Sequence, residues 1–268
     1  ELAVKAPISA SYHGLVTEVY APYAAEYLRR YMVNEYGLDA YREGYEVYTT
    51  INSSLQKSAN LALKRGLENY DRRHGFREPK NIINLFPQEF LDMEFSEKVN
   101  SIKKLDSFEY FSKRNFVEEV SDFLETLGKT EYMFPVVVFG TNKNLSVFSE
   151  SKDIYILPWN EENSWARPFI SENRRGAKPK LYSDILEEGD VVWLSISRLT
   201  GSLSLSQIPE VQGSLVSIEP SSGSIKALVG GYDFNLSKYD RAMQSSPLLG
   251  SNFKPFLYAA AFEFGFMP

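Results

Sequence analysis

Between Pro135 and Val211 the chain carries five short runs rich in apolar and β-branched residues: PVVVFG, LSVFSE, DIYILPW, DVVWLSISR and SLSLSQIPEV. Turn residues such as Gly140-Thr141-Asn142 and Gly189-Asp190 separate them. Short apolar runs punctuated in this way read as strands joined by tight connections. Five such strands closed on themselves make a small barrel of the OB type; a generic antiparallel sheet is the other arrangement the pattern allows.

The flanks read differently. Over Ala21–Tyr36, Tyr23, Tyr27 and Tyr31 recur at helical spacing with Leu28 and Met32, Pro22 suits the first turn, and Gly37 is placed to end the helix. Gly44–Ile51 alternates in the manner of a strand. Asn52 or Ser53 then caps a second helix, with Leu55, Ala59, Ala62, Leu63 and Leu67 on one face. Beyond His74, GFREPKNI has the composition of a linker, and residues 80–132 are mixed. An amphipathic helix is expected over Phe116–Leu127, with Phe116, Val120, Phe123, Leu124 and Leu127 inward. After the five runs, Gly213–Pro220 and Gly223–Gly231 form a hairpin. A loop with Asp233, Asn235, Lys238, Asp240 and Arg241 follows, and then LLGSNFKPFLYAAAFEFGF, a glycine before a strongly apolar helix. The order implies an α+β domain interrupted by an inserted β module, with segments 1–79, 80–212 and 213–268. The outer domain reads as unfinished, so a longer parent protein is expected.

Composition narrows the chemistry. With 43% hydrophobic and 24% charged residues the chain is globular and not disordered. A net charge of −6 argues against a broad nucleic-acid surface, so no nucleic-acid partner is expected. No apolar run approaches the roughly 18 residues of a membrane span, and the N-terminal residues are not a signal peptide. Cysteine is absent, which removes thiol nucleophiles and cysteine-based zinc sites. The two histidines, His13 and His74, are far apart, so acyl-transfer chemistry here needs a base other than histidine. Glu89, Asp92 and Glu94 match no metal loop, and no cofactor is expected.

Ser251-Asn252-Phe253-Lys254 offers such a base. Positions i and i+3 share a helix face, which brings the lysine amine within reach of the serine hydroxyl. A partly desolvated lysine can be neutral near pH 7 and accept the serine proton. A helix N-terminus adds a field that favours the developing oxyanion. The spacing alone says little, because Ser54/Lys57, Ser101/Lys104 and Ser149/Lys152 share it. Gly250 and the apolar helix that follows single out Ser251, since a catalytic group is best held on a rigid element in a core. Ser54 and Lys57 read as a solvated pair. His74 reads as a helix-end residue. Arg174, Arg175, Lys178 and Lys180 read as a solvated basic loop or, alternatively, a docking patch. Trp165 beside Arg167 reads as a cation–π pair or an exposed contact residue.

The final residues carry a resemblance. The hairpin ends in Ala227–Gly231, Asp240-Arg241-Ala242-Met243-Gln244 follows, and Gly250–Phe256 reads G-S-N-F-K-P-F. This run resembles the opening of the transpeptidase domain of class A penicillin-binding proteins, where N-R-A-x-Q precedes G-S-x-x-K-P-F. Asp240 stands where that family usually has asparagine. GYEVYTTINSSLQKSANLAL is similar to the segment that joins the family's two catalytic domains, and Trp165–Lys180 resembles the inserted OB-like domain of the 1A type from Gram-negative bacteria. The resemblance implies Ser251 as the acylated nucleophile and Lys254 as its proton acceptor. It implies peptidoglycan stem peptides as substrates and β-lactam antibiotics as acylating ligands. A regulator, an outer-membrane lipoprotein activator that docks the inserted domain, is implied as a partner. The implied parent is bifunctional, held by a membrane anchor at the periplasmic face of the bacterial inner membrane. Its glycosyltransferase domain and its S-x-N and K-T-G motifs are expected in parts of the parent not included here, so these residues alone should be inactive or nearly so.

Overall fold

A computed structural model describes residues 17–103, 116–141, 144–197, 200–246 and 248–267. His13, Lys104 and Asn142, named above, lie outside them. Helix α1 (Pro22–Tyr36) begins on Pro22, and Gly37, at φ 61°, ends it by donating its N–H to the Val33 carbonyl. Only the first tyrosine of the expected stripe is inward. Tyr23 and Ala24 are buried, whereas Tyr27 and Tyr31 are exposed.

The strand expected over Gly44–Ile51 does not form. This segment is irregular and largely exposed; near its start the Tyr45 ring packs on Tyr36 (4.8 Å between centroids), and near its end Thr50 Oγ1 donates to the Ile225 carbonyl (2.7 Å). Alternation without a paired neighbour provides no ladder to hold a strand.

Helix α2 (Ser53–His74) has Asn52 as its N-cap, which accepts from the Leu55 N–H at 3.0 Å. Its buried positions are Gln56, Ala59, Leu67 and Asp71. Leu55 and Ala62, expected inward, are exposed.

Among the described residues ten strands follow in chain order: β1 (Lys80–Asn81), β2 (Met133–Gly140), β3 (Asn144–Ser149), β4 (Ile154–Pro158), β5 (Phe169–Ser171), β6 (Arg174–Arg175), β7 (Asp190–Ile196), β8 (Leu203–Ser206), β9 (Leu215–Ile218) and β10 (Ile225–Val229). The five runs read from sequence are β2, β3, β4, β7 and β8. They pair antiparallel in one sheet of order β1-β7-β2-β3-β4, with β8 also on β7.

The sheet is covered on both faces. Val136, Val138, Val192, Leu194 and Leu205 pack with Phe76, Tyr182 and Leu186 on one side. Val137, Phe139, Phe148 and Val191 pack with Ile82, Phe86, Phe90 and Ile102 on the other. Helices α3 (Phe95–Lys103) and α4 (Phe116–Thr126) cover that second face, with Val117, Val120 and Leu124 fully buried. Double burial is why β2 reads as one unbroken apolar run instead of alternating. Gly189 makes the turn into β7 at φ 87°. A Cβ there would lie 2.7 Å from Ile83, so only glycine fits.

The expected linker after His74 is a packed junction. Phe76 is buried, donates its N–H to the Arg167 carbonyl (2.7 Å) and accepts from the Phe169 N–H (2.8 Å). Lys80 and Asn81 join the sheet beside β7. Asp71 ties both connections of the β module to α2. It accepts from Arg77 Nη1 and Nη2 (2.7 and 2.9 Å), from Gln207 Nε2 (2.6 Å) and from the Glu210 N–H (3.2 Å). Arg77 and Gln207 flank the module at its entry and its exit.

Candidate active site

Strands β9 and β10 form the hairpin expected from sequence, with a register break between Ile225 and Ala227. Helix α2 lies against it through Ala59 and Leu63, which pack on Ala227, Val229 and Leu215. Gln56 adds polar pairing at the strand edge. Its Oε1 accepts from the Leu228 N–H (2.9 Å), and its Nε2 donates to the Leu228 carbonyl (3.0 Å). The hairpin, and the chain leaving it, are thus fixed to a helix of 22 residues.

Past Val229 the chain folds into a tight loop under α1. Tyr23 donates its hydroxyl to the Ser237 carbonyl (2.8 Å). Burial pushes this hydroxyl's pKa up to about 12; Asp233 and Asp240 add to the rise and Arg241 opposes it. The group therefore stays a neutral donor. Cβ atoms on Gly230 and Gly231 would lie 2.7 and 2.6 Å from Tyr23 atoms, so the glycine pair is the space the tyrosine occupies. Asp240 is buried; its Oδ1 accepts from the N–H groups of Ala242 (2.9 Å) and Met243 (3.2 Å). Gln244 closes the turn, its Oε1 accepting from the Asp240 N–H (2.8 Å).

Ser251 stands in a 3-10 turn, Gly250–Phe253, and Lys254 begins helix α5 (Lys254–Glu263). Gly250 enters the turn at φ 50°. Both side chains are exposed, and among the described residues no hydrogen bond joins them. Helix α5, expected in a core, is uncovered by the described residues: Phe256 is 69% and Leu257 57% exposed.

The competing S-x-x-K pairs separate by backbone. Ser149 and Lys152 span a turn between β3 and β4, where the Lys152 N–H donates to the Ser149 carbonyl (2.9 Å). Ser54 and Lys57 lie exposed on α2, and Ser101 lies on α3. Trp165 pairs with Arg72 (4.9 Å), not Arg167, whose Nε donates to the Gly176 carbonyl (2.8 Å). His74 stacks on Tyr70 at 4.3 Å, and Arg174, Arg175, Lys178 and Lys180 are exposed. Sequence reasoning does not single out Tyr23, Gln56 and Asp71 as site or scaffold residues; each has a partner more than a hundred positions away, in Ser237, Leu228 and Gln207.

Residues 107–211 match the penicillin-binding protein OB-like domain family. The whole chain is similar to penicillin-binding protein 1A of Escherichia coli strain K12, with 33% identity over 96% of this chain and 27% of that protein. For penicillin-binding protein 1A of Pseudomonas aeruginosa the figures are 35%, 99% and 29%. The crystal structure of penicillin-binding protein 1A from Haemophilus influenzae superposes with a TM-score of 0.69 at 29% identity. It covers 99% of this chain and 34% of that one. Residues 107–211 belong to the penicillin-binding protein OB-like domain family, and the chain as a whole aligns with a part of penicillin-binding protein 1A. The fold is accordingly an α+β arrangement with an OB-like domain, as the sequence reading expected. The chain spans less than a third of the length of these curated relatives.

Proposed function

We propose that this chain is part of a bifunctional peptidoglycan synthase at the periplasmic face of the bacterial inner membrane, and that Ser251 is its acylated transpeptidase nucleophile. One observation carries the reading. In a chain that aligns along nearly its whole length with penicillin-binding protein 1A, Ser251 and Lys254 sit where a glycine-led turn enters an apolar helix.

The chemistry follows from the two groups. Lys254 Nζ, as the free amine, takes the proton from Ser251 Oγ as the oxygen adds to the penultimate D-Ala carbonyl of a stem peptide. The tetrahedral intermediate collapses, the C–N bond breaks, and terminal D-Ala leaves as an amine with the transferred proton. An amino group of a neighbouring stem peptide then attacks the ester carbonyl and gives up a proton to Lys254, and the ester C–O bond breaks as that proton passes to Ser251 Oγ, which forms the cross-link and frees the serine. A β-lactam enters the same first step, but its ring opens and the leaving nitrogen stays attached, so the acyl-enzyme persists. Lys254 is exposed among the described residues, and a lysine serves as such a base when it is desolvated.

The inserted domain supports a second, compatible reading. Its β5–β6 arm presents Phe169 and Ile170 beside Arg174 and Arg175, all exposed, which suits a docking surface for an outer-membrane lipoprotein activator. A pull-down with full-length protein and an arm-substituted variant tests it; equal recovery of the lipoprotein would remove the arm from the interface.

The nucleophile is tested by labelling the full-length protein with a fluorescent penicillin. Ser251→Ala should abolish labelling, and undiminished labelling would refute the assignment.

A further inference from the structure

Between the hairpin and Ser251 the chain passes through a loop held by a set of backbone and side-chain hydrogen bonds. The Arg241 N–H returns to the Gly230 carbonyl (2.9 Å), which closes the loop on the end of β10. Asp240 and Gln244 then bond reciprocally. The Gln244 side chain accepts from the Asp240 N–H, the Gln244 N–H donates to the Asp240 carbonyl (2.8 Å), and Asp240 Oδ1 holds the two amides between them. Ser245 Oγ donates to the Arg241 carbonyl at 2.5 Å. From outside the loop, Tyr23 fills the space over Gly230 and Gly231 and bonds the Ser237 carbonyl. Helix α5 packs chiefly on the turn before it. Among the described residues Ser245 is thus the last hydrogen-bonded point of the loop, six positions before Ser251.

We propose that Tyr23, Asp240 and Gln244 are positioning residues for Ser251, forming a lock that fixes the loop delivering the nucleophile. The proposal rests on the reading that Ser251 is acylated. It assigns Asp240 a role that needs an acceptor and not a charge. Oδ1 makes both amide bonds, while Oδ2 is buried with no hydrogen-bond partner among the described residues. Asparagine, with its carbonyl oxygen placed at Oδ1, would serve equally.

The test uses full-length protein and a fluorescent penicillin, with rapid-quench kinetics that separate non-covalent affinity from the acylation rate constant. Asp240→Ala and Gln244→Ala should lower the rate constant by about tenfold or more at near-unchanged affinity, because small misplacements of a reacting group carry large rate penalties. Asp240→Asn should restore what Asp240→Ala loses. Wild-type rate constants in both alanine variants, with Ser251→Ala unlabelled, would overturn the lock and leave the nucleophile standing. Labelling that survives Ser251→Ala would instead remove the reading beneath it. Should the alanine variants not fold, Tyr23→Phe, which deletes one hydroxyl, decides: a reduced rate constant supports the lock, and a wild-type rate overturns it.

Discussion

Asp71 is a carboxylate near the end of a helix, where patterning expects solvent. Its side chain is instead only 5% exposed and collects four hydrogen bonds from Arg77, Gln207 and Glu210. Without Asp71 the Gln207 amide and the Glu210 N–H lose an acceptor, while Arg77 keeps Glu210 (3.3 Å) and the Ile208 carbonyl (2.7 Å). Asp71→Ala should therefore destabilise the protein by about 1–3 kcal/mol in urea unfolding, beyond a surface substitution. A loss within experimental error of zero would mean that the junction is held by packing alone. The residue was illegible in the sequence for a clear reason. Hydrophobic periodicity finds Ala59 and Leu67, but Gln56 and Asp71 occupy the same buried stripe, and their burial is satisfied by Leu228 and Gln207 far along the chain and by Arg77 just past the helix. The motif residues were the reverse case. Asp240, Gln244 and Ser251 stood out by resemblance, while the bonds that give Asp240 and Gln244 a physical task became visible only in the fold.

Among elements, the five apolar runs were legible because each is bounded by turn residues and rich in β-formers, and all five are strands. The two-residue β1 carries no pattern, and Gly44–Ile51 carries a strand pattern with no ladder to join. Alternation states what a strand could bury; pairing decides whether one exists. The contact of α2 with β10 shows pairing made by a side chain. Gln56→Leu keeps the volume but strands both the N–H and the carbonyl of Leu228. Each buried group left unpaired costs roughly 1–3 kcal/mol. The melting temperature should fall, and the Leu228 amide should exchange with solvent faster than its neighbours in β10. Unchanged protection at Leu228 would show that the glutamine contributes nothing there.

At the scale of the molecule, α2 connects two bodies of structure. Its first half backs the β9–β10 hairpin, and its last turns hold the inserted sheet domain through Asp71, through Arg72 on Trp165 and through Leu67 beside Met133. Helix α5 is the contrast. It is apolar around most of its circumference, and the described residues leave it uncovered. A helix of that kind belongs in a core. The sequence made the S-x-x-K motif legible, but not the cover that would desolvate Lys254, because that depends on residues packed over α5. The proposed acylation is a covalent bond to one oxygen, Ser251 Oγ. Full-length protein incubated with penicillin, digested with trypsin and read by mass spectrometry should carry the penicilloyl group on the peptide that begins at Ala242, with fragmentation placing it on Ser251. An adduct on any other residue, or an unmodified Ser251 peptide from protein that has bound penicillin covalently, would contradict it.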